Sequence, residues 1–572
     1  MTGATQTLWA ELIASTLADA GVRVCVVSPG SRSTPLVAAL AQLGDGRVEL
    51  PTIIDERAAA FYALGVARAT GEPAALVCTS GTAAAHYLPA LIEASYANVP
   101  LVAITADRPP ELQHCGASQT IDQVDMYGAF VRGAFDLGAP EGSPLALRAV
   151  RRKTIQAIAR AKGPVAGPVH INVPLRKPLE PSAPTTDADR ALAKVVAELR
   201  KEPVVAGAPR LAADEPSLAE LAAAIAAEPR GVVVAGALPA SFRGREHVLA
   251  LCRRAGYPLL AEAGSQLRFG ARTGITCVDH ADLLLGSPLV PMPKLIVQLG
   301  AEPVATSWPA LAGVPRWVLA ESWRDPDSQA RVVLGDVADS LARLTATPSA
   351  VAERPNGDWL AGWATSEQRA RGAIDRALAA HPRSEGAVVR AVVQAAGAAT
   401  LQLGNSLPIR VVDLVASAPH PRTVLTQRGA AGIDGLIASA AGATRAGKPV
   451  VLLLGDVSFA HDLGGLLAAR EATAPLAIVV IDNAGGRIFA GLPVARAISG
   501  AAYERHWTTA PGIDPAAVAT ALGARAVTAA SPAAVATALT EALASRAVTV
   551  IHAPVTPTGA QDVRRTALEL LR

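Results

Sequence analysis

Gly455-Asp456, followed by Asn483 with Gly485 and Gly486 just beyond, has the residue types of a hard-cation site. A carboxylate, an amide oxygen and a backbone carbonyl are oxygen donors suited to Mg2+, with phosphate oxygens to complete the octahedron. The glycines let a backbone approach a diphosphate, although Asp and Asn are also ordinary turn residues. A second candidate is Asp55-Glu56-Arg57, after the strand-like Thr52 to Ile54. A carboxylate facing the apolar start Ala58 to Leu64 is one reading, suited to acid–base chemistry where it is partly desolvated; an exposed helix N-cap is the reading this segment alone favours. A third group is arginines in Gly-bearing turns: Arg32 within Ser31-Arg32-Ser33, Arg108 before Pro109-Pro110, and Arg428 before Gly429. Arg410, read as the start of a strand, joins them. Arginine in a rigid turn beside a helix N-terminus suits bidentate carboxylate binding. Any one reads as a surface residue; three or four at strand edges suggest a substrate with several carboxylates. No histidine completes a triad: His86 and His114 lack a Ser or Asp at suitable spacing, and His461 begins a helix. That absence favours a cofactor that supplies its own base.

These residues need strand ends to hold them. Ala74–Cys78 and Leu101–Ile104 are continuous apolar runs, and Val22–Val27 is apolar but for Arg23, as in strands buried on both faces. Trp9, Leu12, Ile13, Thr16 and Leu17 recur at helical spacing and Gly21 stops that helix. Thr34-Pro35 reads as an N-cap with proline in the first turn, and Thr82 to Tyr96 as a helix. Residues 231–235, 295–299 and 317–320 give three short strands. Ile409–Leu414, Pro449–Leu454, Leu476–Ile481 and Ala547–His552 give four more, with a helix from about His461 to Arg470. Strands alternating with helices predict mainly parallel sheets, which bind ligands at the carboxyl ends of their strands. Asp456 and Asn483 then fall on neighbouring strand ends. Pro-rich, polar stretches near 180–216 and 348–359 read as linkers. The expected organisation is three consecutive α/β domains: 1–185, then 186–355 including a linker, then 356–572.

The chain's 572 residues suit about three or four domains. Hydrophobic residues at 51% and charged residues at 18% exclude a disordered chain. Net charge is +3, with no basic run longer than Arg151-Arg152-Lys153, which argues against a nucleic-acid partner. Mean hydropathy is +0.31, yet the apolar runs stop at Gly455-Asp456 and Asp482-Asn483. None approaches the roughly 20 residues of a spanning helix. Met1 to Ala20 shows no signal-peptide pattern. Cys25, Cys78, Cys115, Cys252 and Cys277 are odd in number and widely spaced, so buried free thiols in the cytoplasm are expected rather than disulfides or zinc. No strand leads into a Gly-x-Gly-x-x-Gly turn, which argues against a dinucleotide-binding protein.

The segment from Gly455-Asp456 through Asn483 resembles the diphosphate and Mg2+ motif of thiamine-diphosphate-dependent enzymes. Within them the chain is similar to the 2-succinyl-5-enolpyruvyl-6-hydroxy-3-cyclohexene-1-carboxylate synthases of menaquinone biosynthesis. The stretches that carry the resemblance are SPGSRSTPL (28–36), DERAAAFYALG (55–65), TSGTAAAHYLPALIEA (79–94), TADRPPELQHCGASQTIDQ (105–123), GNSLPIR (404–410), QRGAAGIDG (427–435), GDVSFAHDLGGLLAAR (455–470) and DNAGGRIFAGLP (482–493). The middle of the chain matches poorly. The resemblance implies pyrimidine-binding, central and diphosphate-binding domains, and a cofactor between subunits of a homodimer or homotetramer. It implies decarboxylation of 2-oxoglutarate on thiamine diphosphate and addition of the carbanion to isochorismate. By motif position, Glu56 contacts the aminopyrimidine; Asp456, Asn483 and the Gly485 carbonyl hold Mg2+ (or Mn2+). Thr79, Ser80, Gly81, Gly455, Val457, Ser458 and Gly486 line the cofactor, with Ile488 and Phe489 beside its reactive ring. Ser406 and Arg410 match contacts for the succinyl carboxylate, with Arg428 close by; Ser31, Arg32 and Gln119 match residues that orient isochorismate. Two departures stand out: Asp482 replaces a frequent Asn, and Ala305-Thr306-Ser307 lacks a frequent basic residue. An acetolactate synthase-like carboligase is the alternative within the same chemistry.

Overall fold

The computed structural model describes residues 3–44, 46–346, 354, 356–498 and 500–572. Among the described residues there are three sheets, and every pairing between their strands is parallel. The first, in the order β1-β2-β3-β5-β4, comprises β1 Cys25–Val27, β2 Ala74–Cys78, β3 Leu101–Asp107, β4 Ala134–Asp136 and β5 Pro168–Pro174. The second, β10-β9-β8-β6-β7, comprises β6 Gly231–Ala235, β7 Leu259–Ala261, β8 Leu295–Leu299, β9 Arg316–Ala320 and β10 Ala330–Leu334. The third runs β12-β11-β13-β14-β16-β15, with β11 Thr400–Leu403, β12 Val424–Thr426, β13 Val450–Gly455, β14 Leu476–Asp482, β15 Arg525–Thr528 and β16 Val548–Pro554. The central strands are apolar and buried on both faces, as helix-covered parallel strands require.

The chain divides into two compact units. One comprises Met1–Arg210, Gln427–Gly447 and Asp462–Thr473; the other comprises Leu211–Thr426, Lys448–His461 and Ala474–Arg572. The first unit holds the first sheet and a core that includes Leu12, Ile13, Leu17, Ile104, Ile158 and Ile171. The second unit holds the other two sheets. No helix among the described residues is long and apolar enough to cross a membrane.

Several expected elements differ from those observed. The run Ile409–Leu414 is not a strand but lies in the helix Leu407–Val415, and the strand here is β11. A short apolar run fits either element, and Pro408 in the first turn favours the helix. Arg410 is therefore a helical residue. Within the expected linker, Asp187–Leu199 is a capped helix whose Leu192, Val196 and Leu199 enter the first core. Of the second polar stretch, residues 348–353 and 355 lie outside the described residues, and a helix begins at Gly357. Thr52 to Ile54 forms only an isolated bridge, between Thr52 and Val27. The helix after the first turn begins at Thr34, so the N-cap position falls to Ser33 and not to the expected Thr34, and the Ser33 hydroxyl donates to the Gly30 carbonyl instead of capping. Strands β4, β5, β7, β10, β12 and β15 were not anticipated: β4, β7 and β12 are three residues long, β10 carries only one buried side chain and β15 none, and β5 is bounded by Pro168 and Pro174 with polar His170 and Asn172 between them. Cys25, Cys78 and Cys252 are buried free thiols, whereas Cys115 is exposed in a loop and Cys277 is half-buried.

Candidate active site

In the second unit, β11, β13 and β14 lie side by side, with Leu403 opposite Leu453 and Gly455 opposite Ile481. Parallel register delivers the three following segments, Gly404–Ser406, Gly455–Ser458 and Asn483–Gly486, to one sheet edge. Asp456, at the start of the helix Asp456–His461, accepts hydrogen bonds from Val457 N at 2.9 Å and Gly485 N at 2.7 Å. These bonds tie the two strand ends together. Burial pushes the Asp456 carboxyl up, and the nearby Asp482 carboxylate adds repulsion. Asp482 itself is held low by His552, whose Nε2 lies 2.9 Å from Asp482 Oδ2. Asn483 is buried, and its Oδ1 has no hydrogen-bond partner among the described residues. Gly485 has φ of +114°, and a Cβ there would lie 2.3 Å from the Thr508 carbonyl oxygen, so only glycine fits.

The donor chemistry fits a divalent cation. An unpartnered amide oxygen, a carboxylate destabilised by burial and a carbonyl-bearing glycine turn converge on neighbouring strand ends. No group of three or more His, Cys, Asp or Glu side chains that could hold a metal occurs among the described residues, so amide and carbonyl oxygens must contribute. Val457 and Ser458 follow in the same helical turn, Ser458 buried. Ile488 and Phe489 lie half-buried in the short helix Arg487–Gly491. Ser406 precedes the helix Leu407–Val415 with φ of +72°, an unusual conformation for serine that fixes its direction at the sheet edge. Arg410, one turn on, donates from Nη1 to the Ser406 carbonyl at 2.7 Å.

In the first unit, the segments after β1, β2 and β3 likewise leave one edge. Ser28 donates to the carbonyls of Val77 and Ile53, which holds the first of these turns in place. Ser31 is exposed, whereas Arg32 is 3% exposed and donates from Nη1 to the Leu175 carbonyl at 2.6 Å. Thr79 and Ser80 are buried. Gly81, at φ of +87°, gives its N–H to Gln123 Oε1 at 2.9 Å. Gln119 is exposed, and its Nε2 donates to the Ser80 carbonyl while Ser80 Oγ donates to the Gln119 carbonyl, both at 3.0 Å. Glu56 is half-buried at the first position of the helix Glu56–Thr70, and Asp55 is its N-cap, accepting from Arg57 N and Ala58 N. Glu56 therefore does not do the capping.

Four side chains that support the site were missed. Gln123 is fully buried, and its Nε2 donates to Ala106 O and Asn172 Oδ1, so one amide couples the turns at Gly81 and Ala106. Glu93 accepts from Gly429 N, Ala430 N and Ala431 N, and pairs with Arg68 at 2.8 Å, which anchors the loop carrying Arg428. Asp462 accepts from Ile437 N and Ala438 N; burial pushes its carboxyl up to about 7. Glu385 accepts from Asn483 Nδ2 at 3.2 Å. Only burial marks these as special, and burial of a polar residue has no sequence period. The candidate residues thus gather into two groups, one within each compact unit. Arg428 belongs to the first, by its segment Gln427–Gly447.

Residues 8–126 match the family described as thiamine pyrophosphate enzyme, N-terminal TPP binding domain, and residues 410–553 match its C-terminal TPP binding domain. A 2-succinyl-5-enolpyruvyl-6-hydroxy-3-cyclohexene-1-carboxylate synthase from Sorangium cellulosum is 43% identical over 97% of this chain and 94% of its own. The synthase of the same name from Geobacillus thermodenitrificans is 40% identical over 84% of this chain and 82% of its own. Among solved structures, benzoylformate decarboxylase from Polynucleobacter necessarius shares the fold, with a TM-score of 0.71 at 18% identity, over 96% of this chain and 98% of that one. A likeness that spans nearly the whole chain, together with the cation-type donor set at the sheet edge, places this chain in the 2-succinyl-5-enolpyruvyl-6-hydroxy-3-cyclohexene-1-carboxylate synthase family of thiamine pyrophosphate enzymes.

Proposed function

We propose that this enzyme decarboxylates 2-oxoglutarate and joins the remaining four-carbon unit to isochorismate, giving 2-succinyl-5-enolpyruvyl-6-hydroxy-3-cyclohexene-1-carboxylate and CO2 for menaquinone biosynthesis. The observation that carries this reading is the row of turns after β11, β13 and β14, in which Ser406, Asp456 and Asn483 share one edge. The cofactors are thiamine diphosphate and a divalent metal, with Mg2+ proposed and Mn2+ able to replace it. When bound, the diphosphate cofactor supplies the electron sink that lets a 2-oxoacid lose CO2 and transfer its acyl carbon.

The chain's own residues divide the remaining work. Asp456, Asn483 Oδ1 and the Gly485 carbonyl hold the metal, while Gly455, Val457, Ser458 and Gly486 line the diphosphate. Thr79, Ser80 and Gly81 form the turn against the pyrimidine, and Glu56 presents a carboxylate to its ring nitrogen. Ile488 and Phe489 exclude water beside the reacting carbon. Ser406 and Arg410 receive the distal carboxylate of 2-oxoglutarate. Ser31, Arg32, Gln119 and Arg428 orient isochorismate. Each of the expected domains, 1–185, 186–355 and 356–572, contains one of the three sheets, which supports that partition. A cytoplasmic homo-oligomer, at least a dimer, completes the reading.

The test is to supply 2-oxoglutarate with isochorismate, and pyruvate alone in parallel, and to follow CO2 and product. Coupled CO2 and product from the first mixture support the assignment. Acetolactate from pyruvate as the dominant reaction would replace it with the acetolactate synthase-like alternative.

A further inference from the structure

We propose that Glu385 is a positioning residue for the metal, turning the Asn483 side chain so that Oδ1 and not the amide NH2 faces the cation. The inference rests on the reading of Asp456, Asn483 and Gly485 as the ligand set.

Glu385 opens the helix Glu385–Ala395 and is 2% exposed, yet 98 residues separate it from Asn483. The N-terminal turn is locked in place. Ser384 accepts a hydrogen bond from Ala387 N, and a Cβ on Gly559 would lie 2.8 Å from Ser384 Cα. The carboxylate thus meets Asn483 from a rigid base. Asn483 Nδ2 donates to Glu385 Oε2 at 3.2 Å.

The planar amide has a donor end and an acceptor end, and an ionised carboxylate only accepts. The NH2 must therefore face Glu385, which sends Oδ1 the other way. That oxygen is the buried atom without a hydrogen-bond partner among the described residues. Were the amide reversed, two oxygens would meet at the Glu385 side and two donor hydrogens would point where a cation needs a lone pair. A buried acid with one of its own oxygens also unpartnered is costly to keep. Partners that orient metal ligands are where such a cost is found.

A purely structural reading, in which Glu385 serves its own helix N-terminus, makes different predictions. The experiment titrates metal-free protein with Mn2+ in the presence of thiamine diphosphate and reads free Mn2+ by electron paramagnetic resonance. Glu385→Met keeps the volume and removes the acceptor; it is expected to weaken Mn2+ binding about 10- to 100-fold. Its metal-free melting temperature should be unchanged or higher. Glu385→Gln restores an acceptor for the Asn483 N–H and should recover most of the affinity. Mn2+ affinity within about twofold of wild type in Glu385→Met overturns the proposal, as does an equal loss in both variants. Asp456→Ala separates this from the underlying reading: if it too binds Mn2+ normally, the ligand set itself is wrong.

Discussion

Two adjacent acids at the start of one helix have different tasks. Asp55 spends its carboxylate on the N–H groups of Arg57 and Ala58, so Asp55→Ala is expected to cost about 1 kcal/mol of stability by loss of the cap. Glu56→Gln keeps the shape but removes the charge. Positioned acid–base groups contribute about 10²–10⁴-fold, so turnover should fall by that order with the melting temperature unchanged. Unchanged turnover would remove Glu56 from the mechanism. Arg410 gives a sharper test of substrate choice. A charge-assisted hydrogen bond contributes about 1.5–3 kcal/mol, so Arg410→Ala should weaken use of 2-oxoglutarate roughly 10- to 150-fold. Measuring CO2 release apart from product formation checks this. A defect confined to the isochorismate-dependent step would move Arg410 to the other substrate.

The helix Glu56–Thr70 packs on the helix Leu436–Ala443 within the first unit, and its composition shows how. Both helices are rich in small buried residues, Ala58, Ala59, Ala60 and Gly65 in one and Ala438, Ala440, Ala441 and Gly442 in the other, and the glycines let the backbones approach closely. A Cβ on Gly65 would lie 1.9 Å from the Ser439 carbonyl oxygen, and one on Gly442 would lie 2.0 Å from that of Tyr62. Gly65→Ala must therefore push the helices apart, at a cost of about 1–3 kcal/mol in urea unfolding. Gly372, inside the helix Gly357–Ala380, meets nothing within 4 Å, and its change to Ala should stabilise by about 0.5–1 kcal/mol. Equal effects at the two sites would refute the close-packing account. Legibility also differs between elements. Buried apolar strands such as Ala74–Cys78 stand out because a continuous run bounded by turns has few other readings. Ile409–Leu414 misled because its β-branched residues fit a strand, while Pro408 signalled a helix start. Thr400–Leu403 hid because it is only four residues long and includes the polar Gln402.

At the scale of the whole chain, buried His170 makes stability depend on acid. Burial lowers its pKa to about 4, against about 6.5 for an open imidazole, and Nε2 lies 2.7 Å from Thr105 Oγ1. Below 6.5 the unfolded chain takes up a proton that the folded chain refuses until about pH 4. Acidification through that window thus favours unfolding, by up to roughly 3 kcal/mol. In His170→Gln this contribution should vanish, so unfolding free energies at pH 4.5 and pH 7 should lie closer together than in wild type. The proposed cation ligands were legible in the sequence because Asp456 and Asn483 follow strands that announce themselves. Glu385, Gln123 and Glu93 were not, because only the fold brings them to residues dozens to hundreds of positions away.

The discontinuous make-up of the first unit also bears on how the chain is made. The helix Glu56–Thr70 leaves the ribosome roughly 370 residues before the helix that covers it. At about 5–20 residues per second, its face with Phe61, Tyr62 and Gly65 waits roughly 20–70 s for a partner. A nascent chain stalled at Arg210 should therefore present that face to a chaperone, and one extended past Thr473 should not.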